Sequence, residues 1–599
     1  MKMNILCLAM AAMAIMGCGG SNDPVTDEPI PVTPPSGGGG EPTPTVQTTA
    51  ILSLNISTDK ALYAPGETIR FSIEGSVPSD ARVRCRQGST VVKEEALSGN
   101  SWTWTAPQQD FQGYMVDVYT KTSTTETIYG TVGVDVSSDW ARFPRYGFVA
   151  SYDHSKTSGV IAEETAFLNR CHINGIQYYD WHYKHHWPLG GTRTELLESY
   201  TDIANRTILT SVVKDYIEQH HARGMKTMFY NLCYGSLSDG AQDGVSDSWS
   251  LFTNTNRNRD KLSMPSGWKS DIYIMDPGNK GWQDYLAERN DDVYANFAFD
   301  GFHIDQLGSR GTVYDYYGSQ VNLPGGFASF IQAMKAHHGD KRLVMNAVSG
   351  YGASQIGNTK QTDFMYTEMW GSEQMYSDIR DVIALNGTSS DGKNTIIAGY
   401  MNYGKSGAAG TFNTPGVLLT DAVIFALGGS HLELGDGHML CHEYFPNGNL
   451  KMGSDLQTAI VRYYDFLVAY ENLLRDGGGE TSADITSTNS SVSVSAWPPR
   501  LQSVCCYAKT VGSRQVVHLL NFRQANSLSW RDEQGNMPEP QLVSNLPLKT
   551  KASGVKKVWV ASPDALGGVP QELTFKQEGD YITLTLPSLK YWTMIVVEH

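Results

Sequence analysis

Asp305, in the run FDGFHIDQLG, and Glu368, in the run DFMYTEMWG, each close an apolar stretch that reads as a buried strand. A strand interior does not tolerate an unpaired charge, so an acid ending a hydrophobic run is expected where the strand emerges into a cleft. Two such acids on separate strands suit cleavage of a glycosidic bond. That reaction needs one ionised carboxylate beneath the anomeric carbon and one protonated carboxyl at the leaving oxygen. A lone strand-end acid is more often a helix cap or a salt-bridge partner; the pairing is what favours catalysis.

Side chains alternate along a strand. Counting back from Asp305 places His303 and Gly301 on its face and Asp300 on the opposite one. Glu368 shares a face with Tyr366 and Phe364, and Trp370 follows as a ring platform. Other runs also end in polar groups: Asp153, Asp180 with Trp181 and His182, Asn231, Asn346, Asn402 with Tyr403, and Glu433 with Asp436. A polyhydroxylated ligand needs many directional partners. The expected sugar contacts are therefore Asp153, Asp180, Trp181, His182, His303, Trp370, Asn402, Tyr403, Glu433 and Asp436. Ring stacking adds an expectation that Trp370 and at least one of Tyr179, Trp181 and Trp187 border one cleft. His182, His185 and His186 resemble a metal set, but no acid or Cys stands at ligand spacing beside them, so neither metal nor organic cofactor is expected. No GxSxG elbow and no phosphate loop is present.

The elements that must position these residues alternate. Eight apolar runs are predicted as strands: 146–152, 175–183, 226–233, 299–306, 342–348, 364–369, 395–402 and 431–434. Helical stretches fall between them, including 207–223, 281–296, 326–338, 373–384 and 415–427. That order predicts a (β/α)8 TIM barrel over 140–476, whose strand C-termini carry the site. An open doubly wound sheet is the rival, and no GxGxxG follows the first strand to support it. Alternation of period two on either side predicts an immunoglobulin-like β-sandwich at 49–139 and a C-terminal antiparallel β-sandwich at 477–599.

The chain has 599 residues, more than one core usually supports. Its formal net charge of -16 and lack of a basic run exclude nucleic acid and an anionic membrane surface as natural partners, leaving a neutral ligand as the better fit. Lys2, the short apolar stretch 5–16 and Ile15-Met16-Gly17-Cys18 resemble a bacterial lipobox. Residues 1–17 are then a signal peptide, Cys18 the lipidation site, and 18–48 a Pro- and Gly-rich tether. The expected address is the bacterial cell envelope, at the outer membrane, with membrane contact only through the N-terminal lipid. Cys85, Cys171, Cys233, Cys441, Cys505 and Cys506 form no CxxC pair, and their pairing cannot be read from spacing.

The motifs YYDWHYKHHWPL, DGFHIDQLG and YTEMW, in this order of domains, make the chain similar to glycoside hydrolase family 66, the dextranases and cycloisomaltooligosaccharide glucanotransferases. The resemblance spans nearly all of the mature chain. It implies Asp305 as nucleophile and Glu368 as general acid/base of a retaining mechanism, acting on the α-1,6-glucan dextran and on isomaltooligosaccharides. Cyclising members carry an extra carbohydrate-binding module within the barrel, and this sequence has no uncommitted stretch of that length. The resemblance thus implies an endo-dextranase. A transglycosylating or cyclising glucanotransferase, and a non-catalytic glycan-binding lipoprotein, are the alternatives.

Overall fold

A computed structural model describes residues 46–599. The expected signal peptide, Cys18 and the expected tether up to residue 45 lie outside the described residues. The chain joins a sheet slightly earlier than expected: Gln47–Ala50 pairs in parallel with Thr125–Ile128.

Each of the eight predicted runs coincides with one parallel strand, the last of which starts one residue before its run. They are β1 (Tyr146–Val149), β2 (Gly175–Tyr178), β3 (Lys226–Leu232), β4 (Gly301–Asp305), β5 (Arg342–Met345), β6 (Met365–Glu368), β7 (Thr395–Ala398) and β8 (Ser430–Leu432). Strands β1 to β5 form one sheet in chain order and β6 to β8 another. Isolated parallel bridges link Asn346 to Tyr366, between β5 and β6, and Phe148 to Gly435, between β1 and the end of β8. Several strands stop short of their predicted ends because the chain turns. Asp180 after β2 and Asn402 after β7 have φ of 48° and 52°, a left-handed backbone that cannot continue a strand.

Helices fill the connections: α1 (Ser158–Arg170), α2 (Thr210–Ala222), α3 (Lys280–Asn296), α4 (Leu323–His337), α5 (Ala353–Asn358), α6 (Tyr376–Ser390) and α7 (Thr414–Ala426), with α8 (Ser454–Ala469) after β8. The predicted helix at 207–223 begins later than expected. Thr207–Leu209 instead pairs with Ser199–Thr201 as a small antiparallel ribbon. Asn279 and Asn322 accept from the first-turn amides of α3 and α4 and so fix where those helices start. α7 is buried at every position from Gly416 to Ala426, with strand neighbours on one side and the C-terminal segment on the other.

Alternation sorts the strand residues into two cores. Tyr146, Phe148, Met228, Val344, Tyr366, Ile396 and Leu432 pack together between the strands. Phe229, Phe302, Ile304, Met345 and Ile397 face the helices instead. Before β1, a five-stranded and a three-stranded sheet enclose Ile56, Phe71, Val116 and Val134. After α8, a seven-stranded and a four-stranded sheet enclose Val504, Val517, Leu546 and Leu586.

These flanking sheets are tied to the centre by buried polar groups. Arg145, with no exposed side-chain surface, donates to Asp135 at 2.8 Å and meets Glu471 at 3.5 Å. A Cβ on Gly133 would stand 2.6 Å from the Asp465 carbonyl of α8, so only glycine allows that approach. All six described cysteines are buried thiols. No helix among the described residues is long and apolar enough to cross a membrane.

Candidate active site

Asp305 ends β4 and Glu368 ends β6, with β5 between them. Asn346, the first residue beyond β5, reaches both. Its Nδ2 donates to Asp305 Oδ1 at 2.8 Å and to Glu368 Oε2 at 2.9 Å. The Glu368 amide donates to Asn346 Oδ1 at 3.2 Å, which fixes the orientation of the side-chain amide. The remaining oxygens also have donors: Tyr230 on β3 donates to Asp305 Oδ2 at 2.8 Å, and Tyr400 after β7 donates to Glu368 Oε1. Among the described residues the pair is held by these hydrogen bonds, and no cationic side chain pairs with either acid.

The electrostatics separate the two acids. Burial raises Asp305 above the ordinary aspartate range, opposed by the bonds from Asn346 and Tyr230. Burial also raises Glu368, and the neighbouring charge of Asp305 adds to it, so that Glu368 is pushed up to about 7 despite its own donors. Glu368 thus keeps its proton toward neutrality in the field of its neighbour, as the proton donor in acid-assisted displacement at a sugar must. Asp300, one face away, meets His221 and Lys226, whose bonds hold it at about 2 despite burial. It serves the helix side, as its parity predicts.

Several expected contacts gather around the pair. His303 lies beneath it, buried, with Nδ1 3.2 Å from the Tyr146 hydroxyl; burial lowers it to about 3, so it is neutral. Asp180 is buried 3.6 Å from Arg206, and burial together with repulsion from Asp202 and Asp305 outweighs that arginine, raising Asp180 to about 7. His182 is fully buried, and neither ring nitrogen has a hydrogen-bond partner. It sits 4.4 Å from the His185 ring and 6.0 Å from that of Tyr230. Trp370 borders Tyr400 at 5.3 Å and Tyr403 at 6.2 Å, and the Tyr403 hydroxyl donates to Glu443 at 2.7 Å. Tyr179 stacks on Phe445 at 4.4 Å and borders Tyr230 at 4.9 Å.

Other expected contacts are engaged elsewhere. Trp181 points into the helix layer against Phe297 and Phe299, because the turn at Asp180 reverses the alternation; Tyr179 takes the place expected of it. Trp187 lies beneath the guanidinium of Arg289 on α3. Asp153 closes its own turn by accepting from Ser155. Asp436 accepts the backbone amides of Ala150 and Ser151 and joins the end of β8 to β1. Asn402 is spent on Asp532 and Asn413. Glu433 has opposite parity to the inward Leu432. It is fully buried among His431, Tyr464 of α8 and, through His431, Asp421 of α7.

Tyr230, Tyr400 and the joint role of Asn346 are absent from the sequence expectation. Parity could have found Tyr230, which stands in register with inward His303. The two carboxylate-bearing clusters that could hold a cation among the described residues are His186 with Asp239 and Asp243, and Asp421 with His431 and Glu433. The first corrects the view that no acid accompanies the histidines, since a later loop supplies both. Lys184 Nζ lies 2.7 Å from each of those acids and already furnishes the positive charge.

Paired carboxyls of unequal proton affinity, presented at the ends of parallel strands, are the working parts of a glycoside hydrolase. The family model of glycosyl hydrolase family 66 matches residues 58–596, and the chain belongs to that family. It is 26% identical to a cycloisomaltooligosaccharide glucanotransferase of Niallia circulans, over 91% of this chain and 71% of that one. It is 24% identical to a dextranase of Streptococcus salivarius, over 78% of this chain and 65% of that one. The crystal structure of a Paenibacillus sp. cycloisomaltooligosaccharide glucanotransferase complexed with cycloisomaltoheptaose superposes with a TM-score of 0.82 at 25% identity. It covers 90% of this chain and 99% of its own.

Proposed function

We propose that this glycoside hydrolase is a retaining endo-dextranase that cleaves internal α-1,6-glucosidic bonds. The observation that carries the reading is the single amide shared by Asp305 and Glu368. Two contacts of 2.8 and 2.9 Å to one nitrogen keep the nearest carboxylate oxygens within about 5.7 Å. Direct attack on a sugar needs carboxyls roughly 5 to 5.5 Å apart, whereas a water-mediated displacement needs about 6.5 to 9.5 Å.

In the first step Asp305 bonds to the anomeric carbon, the glycosidic C–O bond breaks, and Glu368 gives its proton to the departing oxygen. In the second, Glu368 takes a proton from water, the water oxygen bonds to the anomeric carbon, and the ester to Asp305 breaks. The rings of Tyr179, Trp370 and Tyr403 form the surface on which glucosyl units rest, with Asp180, His182 and His303 buried behind it. The eight strands act as one (β/α)8 barrel, completed by the bridges at Asn346 and Phe148, with flanking sandwiches at 49–139 and 477–599. Lipidation at Cys18 would tether the enzyme to the outer membrane of a bacterial envelope.

The relatives include cyclising glucanotransferases as well as a dextranase, and our preference for hydrolysis rests on the length of the connections. The alignment to the Niallia circulans transferase runs over 710 positions, more than the 599 residues of this chain, so that relative carries inserted segments. Reducing-sugar release and product chromatography on dextran, beside starch, pullulan and α-galactan, test the proposal. Linear isomaltooligosaccharides from dextran alone support it. Cyclic products, or activity confined to another polymer, reject it.

A further inference from the structure

The C-terminal segment reaches back over the parallel strands between Arg514–Asn521 and Val543–Lys551 and grips two loops that flank Glu368. On the loop after β6, the Leu528 carbonyl accepts from Tyr376, Trp530 N donates to the Gln374 carbonyl at 3.2 Å, and Trp530 Nε1 donates to the Glu373 carbonyl at 2.7 Å. On the loop after β7, the Arg531 carbonyl accepts from Asn402 N at 2.9 Å, and Glu533 accepts from Gly404 N at 3.0 Å.

Arg531 is its central residue. Its side chain is 8% exposed, and NH2 donates to the Met369 carbonyl at 2.9 Å, one residue after Glu368. The guanidinium carbon lies 5.8 Å from the Trp370 ring centroid, 5.5 Å from that of Tyr403 and 4.9 Å from that of Trp530. This buried guanidinium is held by cation–π attraction to three rings and by Glu533, 3.4 Å from its Nε, and cannot be replaced in shape by a lysine. One face of the rings thus rests on Arg531, and the same side chain pins the main chain that carries Glu368.

We infer that Arg531 is a positioning residue for the acid/base half of the site: it fixes Glu368 and the Trp370–Tyr403 ring pair that receives the leaving sugar. The inference rests on the proposed function for the identity of the sugar, but not for the geometry. A general acid works only when its proton meets the departing oxygen, and a displacement of about 1 Å costs on the order of a hundredfold. The nucleophile Asp305 is held from β3 and β5 and does not depend on the strap.

The test uses the full chain with Arg531→Ala and Arg531→Lys, assayed on dextran and on an aryl α-isomaltoside whose leaving group needs no proton. Hydrogen exchange is followed over residues 369–376. Arg531→Ala should lose about 10- to 100-fold in kcat/KM on dextran, less than about threefold in the rate of glycosyl-enzyme formation from the aryl substrate, and exchange faster at 369–376. Arg531→Lys should fall between, and it carries the test if the alanine variant does not fold. An active wild type whose variants keep full activity on dextran would overturn the inference. So would equal losses on both substrates with unchanged exchange. Wild-type inactivity on dextran would instead reject the proposed function, and the exchange measurement would still decide whether Arg531 holds the loop.

Discussion

Asp305 and Glu368 accept from one donor, Asn346 Nδ2, so the two carboxyls cannot change separation without breaking a bond to the same nitrogen. The amide also accepts from the Glu368 backbone, which denies it any other orientation. A neutral donor stabilises the ionised form of either acid without neutralising it, as an arginine would.

Asn346→Ala removes a donor that lowers the proton affinity of both acids. Asp305 should then ionise at higher pH, so the acidic limb of kcat/KM moves up, while kcat on dextran falls by about two orders of magnitude. A pH–rate profile with an unmoved acidic limb would contradict the shared-donor role.

Tyr400→Phe affects only one member of the pair. The phenol lowers the proton affinity of Glu368, and its loss should carry the alkaline limb, set by a group near 7, to higher pH. The acidic limb should stay in place. Movement of both limbs together would mean that Tyr400 acts through the wider site.

Asp305→Ala should lose at least about three orders of magnitude in turnover while still binding dextran. External azide should restore part of the activity by producing a glycosyl azide of inverted configuration. Retention of wild-type turnover without azide would remove Asp305 from the nucleophile role.

Glu368→Gln separates the two jobs of that residue. Dextran cleavage should collapse, because glucose is a poor leaving group, while an activated aryl glycoside should still form the glycosyl-enzyme and accumulate it. Equal loss in both first steps would count against the acid/base role.

The eight strands were legible because parallel strands, covered on both faces, read as continuous apolar runs. The acid pair was legible for the complementary reason that each charge interrupts such a run at its end. Side-chain direction was harder to read. The left-handed backbone at Asp180 gives the cleft to Tyr179 and sends Trp181 into the helix layer, and no local residue pattern announces that turn. Glu433 occupies a strand end yet faces outward, a distinction that parity with Leu432 would have made. The contribution of Arg531 was invisible, since a contact between positions 369 and 531 leaves no trace in local spacing.

The Arg145–Asp135–Glu471 cluster bears on how such an enzyme can be inherited and dissected. Its three ionisable groups come from the sheet before β1, from the approach to β1 and from the segment after α8, and each has almost no contact with water. A fragment cut at residue 140 would remove the carboxylate that meets the buried Arg145 at 2.8 Å, a defect worth about 3 to 5 kcal/mol. The catalytic strands therefore do not constitute a cassette that recombination can move between genes. A library of truncations, scored for soluble yield, should recover activity only where the N-terminal sheets and the strap travel with them.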